Sequence, residues 1–315
     1  MTTEIALPHL SEETLAGLDI TTEEVIEAIE TLFRRRAEQK AWSAPKAVML
    51  PPDGRYMMAA LAAADDPDIL AVKTVVLNPR NPERGLPQIN GLVTLLDSQT
   101  GLPRAVVDGN WVTAVRTAGL SAVAAKHMAR SDSAVVGFVG CGVQAQSHLK
   151  AFADMFPLKA IKVLGRGRPN IEALTSLAEK LGLATTECQS GEEAISDADL
   201  VVSSVTFSAS LVPFLDARHL KPGAFAAVTD LAAPWIQDGF AALDRIALDD
   251  LEQEAASDHK LVNPNLVSGD LAGLILGELG GRANAAERCA LIFRGHAMGD
   301  LALAALAYRK AQLKN

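Results

Sequence analysis

The sequence predicts a two-domain α/β protein, with an antiparallel or mixed sheet in its first part and a parallel, helix-flanked sheet from about residue 132 onward. Three observations carry this. The chain has 315 residues, which is long for a single hydrophobic core. Its composition, 49% hydrophobic and 21% charged, is that of a folded globular chain rather than a disordered one. The rhythm of the chain also changes, from strand following strand to strands alternating with helices. Aromatic residues are only 4% of the chain, so the core must be aliphatic and rich in alanine.

The elements can be justified in order. In "SEETLAGLDITTEEVIEAIETLFRRRAEQK" (11–40), Thr21-Thr22-Glu23-Glu24 is an N-cap signature. Val25, Ile26, Ile29 and Leu32 follow at helical spacing, which predicts an amphipathic helix. "KAVMLPPDGRYMMAAL" reads as two strands around Pro52-Asp53-Gly54. "ILAVKTVVLN" and "INGLVTLLDSQTGLPRAVVDG" add three more strands, with a tight connection from Asp97 to Gly101. "NWVTAVRTAGLSAVAAKHMAR" is alanine-rich and has no turn residues after Thr113, which predicts one long helix. Beyond it, "SAVVGFVG", "LKAIKVLG", "ADLVVSSV", "AFAAVT" and "RIALDD" read as strands. "VQAQSHLKAFADM", "NIEALTSLAEKLG" and the C-terminal "GDLALAALAYRKAQLKN" read as helices.

One turn carries chemistry. Gly140-Cys141-Gly142-Val143-Gln144-Ala145 is GxGxxA, with a strand before it and a helix after it. The first glycine permits the tight turn, and the second lets a pyrophosphate approach the backbone. Ala145 is small where helix meets strand. The helix start then offers N–H groups and a positive dipole end to phosphates. This predicts a Rossmann unit and an NAD(P)H cofactor. The second strand ends in "VLGRGRPN", where Gly165 and Arg166 stand in place of the acid that holds an NAD ribose. Arg166 can meet a 2′-phosphate or remain a solvated loop charge, so the cofactor preference stays open. Cys141 reads as a small turn residue, since no basic neighbour favours a thiolate.

Several classes are excluded as expectations. A formal charge of −9 argues against a nucleic-acid partner. Cys141, Cys188 and Cys289 are far apart in sequence, and the six histidines form no metal spacing, so no metal is expected. "MTTEIALPHL" has neither a basic nor an apolar leader region, and no apolar run reaches membrane-spanning length. A cytoplasmic protein with no membrane partner is expected.

The N-terminal half resembles the ornithine cyclodeaminase/μ-crystallin family. The carriers lie in "AVKTVVLNPRNPERGLPQINGLVTLLDSQTGLPRAVVDGNWVTAVRTAGLSAVAAKHMA" (71–129). They are a lysine-bearing strand, an N-x-x-x-G-L-P turn, an L-x-D-x-x-T-G hairpin and T-x-x-R-T-A. The late GCGVQA, "GDLAGLILGEL" and "GHAMGDLALAALAY" agree in order, so the resemblance spans nearly the whole chain. It implies a Rossmann domain (121–294) inserted into a mixed α+β substrate-binding and dimerisation domain (1–120 and 295–315), and a homodimer.

The resemblance also places roles. Lys73 matches the lysine beside the substrate carboxylate and reacting carbon, Arg116 the arginine that grips the carboxylate, and Asp230 the acid facing the substrate nitrogen. Lys73 and Asp230 are the expected catalytic residues. Lys46, Arg116, Tyr56 and His296 are the expected substrate-binding residues, with Arg294 a further candidate cation. Thr117, Gly140, Gly142, Val143, Gln144, Arg166, Ser204 and Val205 are expected to bind the cofactor. Many family members carry arginine where this chain has Lys46, and lysine lacks the planar fork. Cyclodeaminases tend to place an acid where Tyr56 stands, and without it the distal amine of ornithine has no evident partner.

The expected activity is therefore NAD(P)H-dependent reduction of a small α-imino acid, reversible as an amino-acid dehydrogenase. Iminosuccinate, a cyclic ketimine, or pyruvate with ammonia are the candidate substrates. The alternatives are cyclodeamination of ornithine with recycled NAD, and a non-enzymatic nicotinamide-dependent ligand carrier.

Overall fold

The computed structural model describes residues 7–206, 208 and 210–314. The chain divides into two compact units, residues 1–116 with 297–315, and residues 117–296. In chain order the first unit opens with β1 (His9–Leu10), α1 (Glu12–Ala16), α2 (Thr22–Ala37), β2 (Ala41–Ser43) and β3 (Ala47–Met49). β4 (Tyr56–Asp65), β5 (Asp68–Leu77), β6 (Ile89–Asp97) and β7 (Pro103–Asp108) follow, and then the long helix α3 (Gly109–Met128), whose residues up to Arg116 belong to the first unit and from Thr117 onward to the second. The second unit contains β8 (Val135–Val139), α4 (Val143–Met155), β9 (Ala160–Leu164), α5 (Arg168–Lys180), β10 (Ala184–Glu187), α6 (Gly191–Ile195) and β11 (Leu200–Ser203). It continues through β12 (Phe225–Val228), β13 (Arg245–Leu248), α7 (Leu251–Ala255), β14 (Gly269–Asp270), α8 (Leu271–Leu276) and β15 (Cys289–Ile292). The chain then returns to the first unit as α9 (Ala297–Lys314).

The first unit is built on a mixed sheet of order β1-β7-β6-β5-β4-β2, with β3 also on β4. Its pairs are antiparallel except β1, which runs parallel to β7. Strand alternation gives the sheet two faces. One is buried and carries Met58, Ala60, Ala62 and Ala64 on β4 and Ile69, Ala71, Lys73 and Val75 on β5. α9 packs on this face, and α2 packs on α9. A helix enclosed on both sides must be apolar all round, and α9 is buried from Ala297 through Ala307. The alanines of β4 and α9 allow that close approach. α2 starts as its sequence predicts, with a capping box. The Thr21 hydroxyl accepts from the Glu24 N–H, and Glu24 Oε2 accepts from the Thr21 N–H at 2.8 Å.

α3 begins at a backbone contact that leaves no room for a side chain. A Cβ on Gly109 would lie 2.5 Å from the carbonyl carbon of Gly91 and 2.6 Å from the Leu92 nitrogen. This contact sets where α3 leaves β6, and so where Arg116 lies two turns later.

The second unit is a parallel sheet of order β10-β9-β8-β11-β12-β15-β13-β14. β11, β12 and β15 are buried at every residue, as expected for strands covered on both faces. β15 lies between β12 and β13, although about forty residues separate it from β13 in sequence. The alternation of strands and helices did not reveal β15 or β10. Both are only four residues long, and short apolar runs carry little periodicity.

Gly109→Ala forces a side-chain carbon into the β6 backbone. It should cost about 1–3 kcal/mol, read as a lowered urea midpoint at unchanged slope. An unchanged midpoint would show that the α3 start is not constrained by this contact.

Candidate active site

The glycine turn lies where the parallel sheet divides. β8 leads to β9 on one side and β11 leads to β12 on the other, which makes the ends of β8 and β11 the switch point where α/β sheets bind ligands. Gly140 follows β8 at φ +93°, a left-handed conformation that favours glycine. Its N–H donates to the Leu164 carbonyl at 2.8 Å, and a Cβ there would lie 2.6 Å from the Ser204 carbonyl oxygen. Gly142, the N-cap of α4, makes no side-chain capping bond, and a Cβ on it would meet open space. Val143 is 64% exposed. An uncapped helix start behind an open glycine fits a pyrophosphate.

The neighbouring residues refine the turn. Gln144 supplies the carbonyl that accepts from His148 Nδ1 at 2.7 Å, while His148 Nε2 lies 2.8 Å from the Ser121 hydroxyl. Burial pushes the His148 pKa down to about 4, so the ring is neutral and Nε2 accepts the Ser121 proton. Thr117 is buried on α3, and its carbonyl lies within reach of the Ser121 hydroxyl. Cys141 is buried, and burial raises its thiol to about 11, so it is no thiolate. A Cβ on Gly165 would lie 2.8 Å from Cys141 Sγ, so the turn cysteine fills the space that a ribose-binding acid would need there. Arg166 is exposed. Arg168 is engaged with Glu172 and Glu187, at 2.9 and 2.7 Å.

Asp230 follows β12 and is 7% exposed. Its Oδ1 accepts from the Ser203 hydroxyl at 3.0 Å, and its Oδ2 accepts from the Val205 N–H at 3.1 Å. Trp235 Nε1 donates to Ser203 Oγ at 2.9 Å. An indole N–H can only donate, so the serine proton is directed at the carboxylate. Burial pushes the Asp230 pKa up to about 6, against the lowering effect of the Val205 N–H and the Ser203 hydroxyl. The next two residues, Leu231 and Ala232, hold φ values of +58° and +57°. Two consecutive non-glycine residues in this region mark a strained turn of the kind found at functional sites. The sequence reading did not find Ser203 or Trp235, because neither falls in a recognisable motif.

In the first unit, Lys73 is 1% exposed on the buried face of β5, between Ala60 of β4 and Val93 of β6. Its ammonium donates to Asp300 Oδ1 of α9 at 2.8 Å. Arg116 of α3 approaches the same oxygen, with Nε at 3.0 Å. That approach is not aligned as a hydrogen bond, and Arg116 Nη1 is buried without a partner among the described residues. Two buried cations thus share one carboxylate. Burial lowers the Lys73 pKa to about 8; Asp300 resists this, while Arg116 and Lys46 add to it. For Asp300, burial would raise the pKa, but Lys73, Arg116 and Lys46 together hold it below the usual carboxylate range.

The remaining candidates fall in different places. Lys46 lies half-buried between β2 and β3, near enough for its charge to act on Lys73 and Asp300. Tyr56 opens β4 on the face that carries Lys73. Burial raises its hydroxyl pKa. In the second unit, His296 is 1% exposed with Nε2 3.3 Å from Asp250 Oδ2. Arg294 Nε donates to Glu254 at 2.6 Å, and Arg294 also reaches the His259 carbonyl. Arg294 and His296, candidates for substrate binding, therefore each face a carboxylate of the protein. No cluster of histidine, cysteine and acidic residues able to hold a metal occurs among the described residues.

The family model for ornithine cyclodeaminase/mu-crystallin matches residues 10–315. The chain belongs to the ornithine cyclodeaminase/mu-crystallin family. It is similar to the alanine dehydrogenase of Archaeoglobus fulgidus, 30% identical over 322 residues that cover 97% of this chain and 95% of that protein. Among solved structures, it is similar to the Thermococcus litoralis Delta(1)-pyrroline-2-carboxylate reductase in complex with NADH and L-proline. That match has a TM-score of 0.88 at 25% identity and covers 98% of each chain. The iminosuccinate reductase of Paracoccus denitrificans in complex with NAD+ matches with a TM-score of 0.82 at 27% identity, over 98% of this chain and 97% of that one. The family and the Rossmann fold expected from the glycine turn are thus established. The relatives are a dehydrogenase and two reductases, and both reductase structures hold NADH or NAD+; no helix among the described residues is long and apolar enough to cross a membrane.

Ser203→Ala removes a hydrogen bond that favours the ionised form of Asp230. The Asp230 pKa should rise above about 6, as read by the carboxyl ¹³C shift during titration. A fall in that pKa would exclude Ser203 as a donor to the carboxylate.

Proposed function

We propose that the protein is an NAD(P)H-dependent reductase of a small α-imino acid, reversible as an amino-acid dehydrogenase. The observation that carries this reading is the excess positive charge of the Lys73–Arg116–Asp300 cluster, two buried cations against one carboxylate. Burying an uncompensated cation is costly, and a substrate carboxylate would supply the missing anion. Arg116 Nη1, buried and without a partner among the described residues, would donate to it. Lys46 adds a further positive charge nearby. The relatives act on L-proline's imine, iminosuccinate and alanine, which supports a substrate of this class.

The roles follow from the chemistry. A bound reduced nicotinamide would supply the hydride to the imino carbon. Gly140, Gly142, Val143 and Gln144 would hold its pyrophosphate, with Thr117, Ser204 and Val205 lining the cofactor and Arg166 placed for the ribose. Asp230 would act on the substrate nitrogen. As the neutral acid it would protonate the imine, and as the carboxylate it would balance the charge of the iminium. In the reverse direction the carboxylate would remove the proton of the amino group. Lys73 would bind the substrate carboxylate as a cation. The engagement of Arg294 with Glu254 and of His296 with Asp250 favours a substrate with one carboxylate over a dicarboxylate. As a cytoplasmic enzyme it would keep its buried free cysteines reduced.

The first unit is proposed as the dimerisation domain. The sheet face opposite α9 exposes Met57 (43%), Leu61 (47%), Val76 (36%) and Leu92 (46%). β4, β5 and β6 place these side chains on one continuous apolar surface, of the kind that marks an association site. A structural relative is an archaeal alanine dehydrogenase dimer, which supports a second copy of the chain as the occupant.

NADH and NADPH oxidation should be followed with pyrroline-2-carboxylate, and with pyruvate, glyoxylate and oxaloacetate each paired with ammonia or methylamine. Turnover is expected on an imino acid. Oxidative kcat/KM should rise as pH increases through about 6, where Asp230 ionises, and reductive kcat/KM should fall through about 8, where Lys73 loses its proton. Arg116→Ala should raise KM and lower kcat, and Asp230→Asn should mainly lower kcat, by about 100-fold or more. Near-normal kinetics in both variants would remove these roles. Light scattering should give twice the monomer mass, and Leu61→Arg should reduce it to the monomer. A monomeric native protein would remove the dimer.

A further inference from the structure

Asp300 lies three residues into α9, in "GHAMGDLAL", and no sequence motif gave it a role. Its side chain is 4% exposed. Its Oδ1 alone lies within 3.0 Å of both cations of the cluster, 2.8 Å from Lys73 Nζ and 3.0 Å from Arg116 Nε. Those cations come from separate elements, the middle of β5 and the second turn of α3, and like charges brought this close repel. A carboxylate placed on one side of both cancels that repulsion and leaves their other donors free to bind a second anion.

We propose that Asp300 is a positioning residue that clamps the Lys73 ammonium and the Arg116 guanidinium into one anion-binding pair and keeps Lys73 charged. The inference rests on the imino-acid reading only in naming the second anion as a substrate carboxylate. The charged groups acting on Lys73 are Asp300 from α9, Arg116 from α3 and Lys46 from the β2–β3 connection. Asp300 is the anion among them, so its removal leaves Lys73 with Arg116 and Lys46 as its charged neighbours named here. Asp300 touches neither the reacting carbon nor nitrogen in this scheme; it acts through the two cations.

The test titrates Lys73 directly. Protein carrying [¹³Cε]lysine is followed by NMR, with Lys73→Arg identifying the resonance. In Asp300→Asn, the Lys73 midpoint should fall by about one pH unit or more, a tenfold loss of proton affinity. The alkaline limb of reductive kcat/KM should move down with it, and KM should rise more than kcat falls. An unchanged or raised midpoint in the folded variant overturns the proposal. Should Asp300→Asn fail to fold, the native protein decides. The ¹³Cγ shift of Asp300 should inflect at the Lys73 midpoint, and absence of that inflection overturns the proposal. These titrations need no turnover. If the native enzyme reduces no imino acid, the functional reading fails, while the Lys73 midpoint still decides the role of Asp300.

Discussion

A buried lysine and a buried arginine converge on one carboxylate, and much of the first unit serves to keep them there. Charges out of water persist only when paired with good geometry. The sheet supplies Lys73 from its middle strand, facing inward between the small side chain of Ala60 and Val93. The last helix supplies Asp300, and α3 supplies Arg116. Each element is rigid for its own reason: β5 is paired on both edges, α9 is enclosed between the sheet and α2, and α3 is seated by the Gly91–Gly109 backbone contact. The cluster retains a net positive charge because its one anion serves two cations.

The second unit uses the opposite electrostatic device. Asp230 is a carboxyl group taken out of water, and among the described residues it is held by backbone N–H groups and the Ser203 hydroxyl. Desolvation therefore raises its proton affinity, whereas in the first unit it lowers that of Lys73. Burial pushes the Asp230 pKa up to about 6 and the Lys73 pKa down to about 8. The indole of Trp235, through Ser203, fixes the direction of the hydrogen bond to Asp230.

The motifs that made the family legible turn out to be largely turn chemistry. In L-x-D-x-x-T-G, the Asp97 carboxylate accepts from the N–H groups of Gln99 and Thr100 and from the Thr100 hydroxyl, and it pairs with Arg104. In N-x-x-x-G-L-P, the Asn81 amide donates to the Pro87 carbonyl. Local backbone needs of this kind are written in adjacent residues, and a single sequence exposes them. The glycine turn was legible for the same reason. Ser203, Trp235 and Asp300 were not, since a serine ending a strand or an aspartate inside a helix has no local pattern that marks its function.

The amino-acid order by itself determined the alternation that builds the parallel sheet, the capping box of α2, the long α3 and the glycine turn that opens α4. All of these depend on side-chain type at separations of a few residues. Tertiary structure alone decided which charges meet. Lys73 and Asp300 are 227 positions apart, and β15 inserts between strands that the chain order does not place beside it. It also decided that Arg294 and His296 face the protein's own carboxylates. Ion pairing depends on distance in space and on exclusion of water, and neither is set until the sheet and its helices have packed.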